Sequence, residues 1–224
     1  MKIKVCGMTD VDQLHQLEEI GVDFAGFIFY PKSPRFVLKH GLTGTDVKKA
    51  KLKVYKVGVF VNATYDEIMN HIDNFGLDMV QLHGHETPYE CSRISDYIDV
   101  IKAFRFGEND HVEWTIKDYF GCADMFMFDT GVPASKSEHE DKTLYGGTGR
   151  KFNWNRLRGL NIGKPFFLSG GIEPDDASLV KDFMKDPVAK DLFVVDINSR
   201  FELSPGVKDM NKVKQFIDEL KSNE

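Results

Sequence analysis

Three side chains in this sequence have the types needed to move protons and hold an anion: Cys6 in KVCGMT, Asp129 in FMFDTG and Arg35 in YPKSPR. A thiol or a carboxyl can give or take a proton according to its ionisation, and a planar guanidinium forks onto a carboxylate or phosphate. Two further stretches, FFLSGGI with Gly170 and Gly171 and VVDINSR with Asp196, Asn198, Ser199 and Arg200, suit a phosphate, because glycine lets backbone N–H groups approach its oxygens. His83 and His85 in QLHGHE have the look of a metal pair, but a catalytic zinc needs a third protein ligand. No matching histidine ends another apolar run, since His111 falls at a helix start and His139 in a long loop, so no metal is expected. Each residue also has a plain alternative. Cys6 can pack as a small hydrophobe, and Asp129 can cap the turn that follows it.

Short apolar runs at 3–6, 24–29, 53–60, 79–82, 100–104, 124–128, 165–168 and 193–196 read as strands. Helical periodicity fills the intervals at 11–20, 46–51, 65–75, 89–97, 112–120, 154–157, 175–185 and 209–220, with Thr9, Thr64 and Thr87 as starts. Regular alternation implies parallel pairing, and eight such units favour a closed (β/α)8 TIM barrel, one domain over 1–224, above an open doubly wound sheet. In such a barrel the strand ends converge on one mouth. Cys6, Arg35, Asn62, His83, Arg105, Asp129, Gly170 and Asp196 all stand at or just beyond strand ends. Alternation within a strand puts Cys6 on the side of Lys4, facing the interior, and Asp129 on the side of Met125 and Met127. The stretch 130–149, long and charged, has the form of a lid or an idle insertion.

The 29 basic against 35 acidic residues leave a formal charge of −6, which gives no support to a nucleic-acid surface. Cys6, Cys91 and Cys122 are an odd, widely spaced set, which argues for a reducing compartment, the cytoplasm, over a disulfide framework. No apolar run reaches the length of a bilayer span, so no membrane partner is expected. A monomer is the default, with a homodimer as the alternative.

The stretches KVCGMT, GFIFYPKSPRFV, VGVFVN, VQLHGHE, IKAFR, FMFDTG, GGTGRKFNW, FFLSGGIEPDDA and DINSRFELSPGVKD follow one another from end to end. In that order the chain resembles the phosphoribosylanthranilate isomerases of tryptophan biosynthesis. The resemblance implies a (β/α)8 barrel and a cofactor-free Amadori rearrangement of a phosphosugar, N-(5'-phosphoribosyl)anthranilate, to the carboxyphenylamino deoxyribulose phosphate. It implies Cys6 as general base, Asp129 as general acid and Arg35 as partner of the anthranilate carboxylate. Gly170 and Gly171, with Asn198 and Ser199, match the phosphate loops, Asp196 an aspartate that contacts the sugar, and His83 a residue of the site. Arg200 stands where the family pattern has glycine, and Phe152-Asn153-Trp154 where it has Phe-Asp-Trp. An acid role requires the Asp129 pKa to be raised, by desolvation among Met and Phe. A base role is served if cations such as Lys4 or Arg35 lower that of Cys6. The rival readings are another phosphosugar barrel enzyme, an epimerase or an indole-forming lyase, and an inactive phosphosugar-binding module.

Overall fold

A computed structural model describes residues 1–106, 111–130 and 153–222. Eight parallel strands close on themselves in chain order: β1 (Lys2–Cys6), β2 (Phe24–Ile28), β3 (Tyr55–Phe60), β4 (Met79–Leu82), β5 (Asp99–Phe106), β6 (Met125–Thr130), β7 (Phe166–Leu168) and β8 (Leu192–Ile197). The closed barrel expected from the alternation is therefore present, and the open sheet is excluded. Closure comes from β1 lying against β8, with Lys4 opposite Asp196 and Val5 opposite Ile197.

Two faces of each strand bury different cores. Phe24, Val57, Met79, Ile101, Met127 and Phe167 fill the barrel interior. Ile3, Val5, Ala25, Val80, Phe104 and Phe128 point outward and pack under the helices. Lys4 and Cys6 are thus on the interior face, and Asp129 shares it with Met125 and Met127, as the strand alternation requires.

Among the described residues seven α-helices surround the barrel: α1 (Val11–Glu19), α2 (Gly44–Lys49), α3 (Tyr65–Phe75), α4 (Pro88–Ser95), α5 (Val112–Lys117), α6 (Ala177–Phe183) and α7 (Met210–Lys221). Thr64 and Thr87 each close a reciprocal capping box, with Glu67 and Glu90, and Thr43 does the same with Asp46. Thr9 does not cap α1. Asp10 accepts from Gln13 N in that role, while the Thr9 hydroxyl donates to the carbonyl of Gly206 at 2.6 Å.

The stretch 154–157 forms only a 3-10 turn (Trp154–Arg156), because four residues are too few for an α-helical nucleus. The expected helix at 175–185 begins as a 3-10 turn (Pro174–Asp176) before α6. A short hairpin, β9 (Glu202–Ser204) with β10 (Val207–Lys208), follows β8 and has no counterpart in the periodicity. Apart from Thr130, which ends β6, the expected loop at 130–149 lies outside the described residues.

Candidate active site

Cys6 ends β1 beside Gly26 of β2. A Cβ on residue 26 would come within 2.8 Å of the Cys6 sulfur and 3.2 Å of Lys4 Cε, so only glycine leaves room for both side chains. Lys4 is wholly buried, and its ammonium donates to Asp196 Oδ1 at 2.8 Å. Ser169, at the end of β7, donates to the other carboxylate oxygen of Asp196 at 3.3 Å. Burial pushes the Cys6 thiol up, and Asp196 adds to that. Lys4 and Lys208 pull in the opposite direction without reversing it. The expected lowering is therefore corrected: Lys4 and Lys208 pull the thiol down, but desolvation of the thiolate in this buried position outweighs them.

Arg35 follows β2 in the YPKSPR turn, where Ser33 Oγ accepts from its backbone N–H at 3.1 Å. Its guanidinium reaches over the end of β1 to Glu202 at the start of β9. Nε lies 2.8 and 3.0 Å from the two carboxylate oxygens, and Nη2 lies 2.7 Å from Oε2. Lys208 on β10 donates to Glu202 Oε1 at 2.7 Å and to Asn198 Oδ1 at 2.9 Å. Burial raises the Glu202 carboxyl, but its bonds to Arg35 and Lys208 win and hold it below the ordinary carboxylate range. Neither Glu202 nor Lys208 is singled out by sequence reasoning.

Across the mouth His83 follows β4 and Asp129 lies in β6. His83 Nε2 stands 3.2 Å from Asp129 Oδ2, an ion-pair distance without hydrogen-bond alignment. The Gln81 side-chain amide meets His83 Nδ1 at 2.7 Å, which fixes the ring. Arg105 of β5 is in register with Asp129. The loop carrying His83 is tied down by Glu86, which accepts from the backbone N–H of Asn62 at 2.8 Å and of Gly84 at 2.9 Å. Glu86 also pairs at 2.8 Å with Lys102, which β5 sends outward into the layer beneath α4 and α5. His85 points to solvent, and its backbone N–H donates to Asn62 Oδ1 at 2.7 Å. The two histidines of LHGHE thus do not converge, and among the described residues no group of three potential metal ligands forms.

Gly170 and Gly171 follow β7 with φ of 98° and 71°, left-handed values that favour glycine. Asn198 and Ser199 follow β8, where the chain makes a 3-10 turn (Ser199–Phe201). Arg200, half exposed, lies 3.3 Å from Glu173 and so links the β7 and β8 loops. Asn198 faces Lys208, on the Glu202 side of that mouth. Asn153 caps the turn at 154–156, accepting from Asn155 N at 3.2 Å.

A thiol and a carboxyl on strands separated by β7 and β8, an arginine whose stem lies against Gly7 beside the thiol and paired glycines after β7 suit proton transfer on a phosphorylated, carboxylate-bearing sugar. The comparisons agree. Residues 3–219 match the family described as PRAI, N-(5'phosphoribosyl)anthranilate (PRA) isomerase. An N-(5'-phosphoribosyl)anthranilate isomerase of Parabacteroides distasonis is 37% identical over 221 residues, covering 98% of this chain and 93% of its own. The crystal structure of phosphoribosyl anthranilate isomerase from Thermotoga maritima superposes with a TM-score of 0.80 at 30% identity, over 99% of both chains. A further solved isomerase, in complex with reduced 1-(o-carboxyphenylamino)-1-deoxyribulose 5-phosphate, matches at TM-score 0.73 and 28% identity over 99% of both chains. With fold, strand-end residues and full-length similarity in agreement, the chain belongs to the N-(5'-phosphoribosyl)anthranilate isomerase family.

Proposed function

We propose that this chain isomerises N-(5'-phosphoribosyl)anthranilate to 1-(2-carboxyphenylamino)-1-deoxyribulose 5-phosphate, a step of tryptophan biosynthesis, with Cys6 as base and Asp129 as acid. Asp129 gives a proton to the furanose ring oxygen, the bond from that oxygen to C1' breaks, and the nitrogen lone pair completes a protonated Schiff base. The Cys6 thiolate then takes the proton from C2'. The resulting enolamine is a tautomer of the ketose product, so atoms and charge balance without a cofactor. His83 beside Asp129 steadies the carboxyl, and Lys4 beside Cys6 offsets the thiolate charge. Arg35 meets the anthranilate carboxylate. Gly170, Gly171 and Ser199 face the phosphate, and Asp196 orients the sugar while holding Lys4.

The observation that carries this assignment is the placement of Cys6 and Asp129 on the same interior face, at the same end, of β1 and β6. A phosphosugar-binding module needs no such acid–base pair. Purified protein given phosphoribosylanthranilate tests it directly. Formation of the ketose product supports the assignment, and tight binding without turnover overturns it in favour of the binding module.

The chain is proposed to work as one barrel domain and as a monomer. Its three free thiols, all buried, suit a reducing compartment such as the cytoplasm. No helix among the described residues is long and apolar enough to cross a membrane.

A further inference from the structure

Arg35 presents five N–H groups in a rigid plane with two usable edges, one formed by Nε and Nη2 and the other by Nη1 and Nη2. Glu202 occupies the first edge completely, at 2.7 to 3.0 Å. A second carboxylate can therefore approach only the end edge. Which way that edge points is decided by Glu202, and Glu202 is itself held by Lys208 and by the backbone N–H of Gly206 at 3.1 Å. The geometry leaves the side chain little freedom. A Cβ on Gly7 would fall 2.8 Å from Arg35 Cδ and 2.9 Å from Asn198 Oδ1, so the arginine stem lies directly on the chain that follows Cys6.

Charge points the same way. Lys4 is matched by Asp196, but Arg35 and Lys208 share the single carboxylate of Glu202, and both cations are buried. A buried cation in excess is costly unless an anion completes the cluster. The anion fitting the free edge of a guanidinium is a planar carboxylate.

We propose that Glu202, backed by Lys208, is a positioning residue for the substrate carboxylate: it takes the side edge of Arg35 and turns the end edge to the mouth above Cys6. This rests on the isomerase assignment and names residues that assignment does not use. It also separates two effects that a structural role would merge. Glu202→Gln makes the cluster more positive, so a purely electrostatic role predicts tighter binding of a carboxylate. A positioning role predicts weaker binding, because an amide cannot accept from both Arg35 nitrogens and Lys208 at once.

The experiment compares two ligands by calorimetry: the reduced carboxyphenylamino deoxyribulose phosphate and its phenylamino analogue lacking the ring carboxylate. In Glu202→Gln the first should bind at least about tenfold more weakly, while the second changes less than about twofold. The double variant Glu202→Gln/Lys208→Met removes both charges without stranding Lys208, and it should show the same selective loss if the single variant folds poorly. Equal losses for both ligands, or unchanged or tighter binding of the carboxylate ligand, overturn the inference. Wild-type turnover of phosphoribosylanthranilate, measured alongside, reports on the isomerase assignment separately.

Discussion

Lys4→Met removes one member of a fully buried ion pair and the nearest cation to the Cys6 sulfur, so it has two separable consequences. Deleting one partner of a buried pair strands the other, at about 3–5 kcal/mol, a sizeable share of the roughly 5–15 kcal/mol that holds a domain together. Lys4 Nζ lies 2.8 Å from Asp196, and neither side chain sees solvent to any useful degree. Burial lowers the Lys4 pKa, but Asp196 and Cys6 raise it further, and the net is above its ordinary 10.5. The pair's contribution to stability is accordingly full below about pH 10.5 and is lost as pH rises through the folded value.

The second consequence concerns the thiolate. The sulfur and Lys4 Cε both approach the same point above Gly26, which places them within about 6 Å of one another. At that range, with an effective dielectric constant near 20, opposite charges attract by about 3 kcal/mol, or roughly 10²-fold in the thiolate population. Alkylation of Cys6 by iodoacetamide at fixed pH, followed by peptide mass spectrometry, measures this. Cys91, whose thiol is pushed well above its ordinary value chiefly by burial, serves as an inert internal reference. In wild type the rate should still be climbing at pH 9.0, the ordinary thiol value, because burial holds Cys6 above it. In Lys4→Met it should fall about 10²-fold at every pH below that. A folded Lys4→Met protein that alkylates as fast as wild type would refute the electrostatic role of Lys4.

Cys6→Ser and Asp129→Asn should each lower kcat by roughly 10²- to 10⁴-fold with melting temperatures close to wild type, and near-wild-type turnover in Cys6→Ser would return that thiol to a packing role. Gly171→Ala places a side chain on backbone at φ 71°, so it should weaken competitive inhibition by inorganic phosphate while sparing the fold. Glu86→Gln leaves the buried Lys102 charge with the carbonyls of Leu82 and Gly84 but no counter-charge, and thermal unfolding should register a loss of up to about 3–5 kcal/mol. The Glu202 carboxyl, held below its ordinary 4.5, contributes stability that is present above about pH 4.5 and fades as pH falls through the depressed value. Comparing acid unfolding of wild type and Glu202→Gln should show the wild-type advantage shrinking over that window.

The barrel was legible because its strands carry their instructions locally. Alternation alone places Lys4 and Cys6 inward and Val5 outward, and short apolar runs spaced by amphipathic stretches permit few other folds. Thr64 and Thr87 announce their helices through a glutamate three residues on; Thr9 has Asp12 at the same spacing, yet the neighbouring Asp10 takes the cap. Glu202 and Lys208 were not legible, since they sit on a hairpin of five strand residues, too short for any period. Glu202 is also 167 residues from the arginine it holds. The Lys102–Glu86 pair did leave a trace. A lysine between Val100 and Phe104 breaks an outward face that is otherwise apolar, which marks a buried charge needing a partner. The spacing of Gln81 and His83, two apart on one strand face, likewise signals that the imidazole is held rather than free.

The hairpin after β8 also governs when the site can exist during synthesis. Lys208 exchanges hydrogen bonds with the Gln13 side chain, Thr9 is fastened to Gly206, and β1 has β8 as one of its two neighbours. The first strand therefore waits for residues 192 positions further along the chain, the separation of Lys4 from Asp196. A nascent chain halted before β8 carries Cys6 and a lysine meant for burial, with neither Asp196 nor Glu202 to receive the positive charges of that region. Contacts of such sequence separation form late and slowly. Ribosome-bound intermediates should thus hold the thiol open to reagents until residue 208 emerges, and acquire carboxylate recognition only after that.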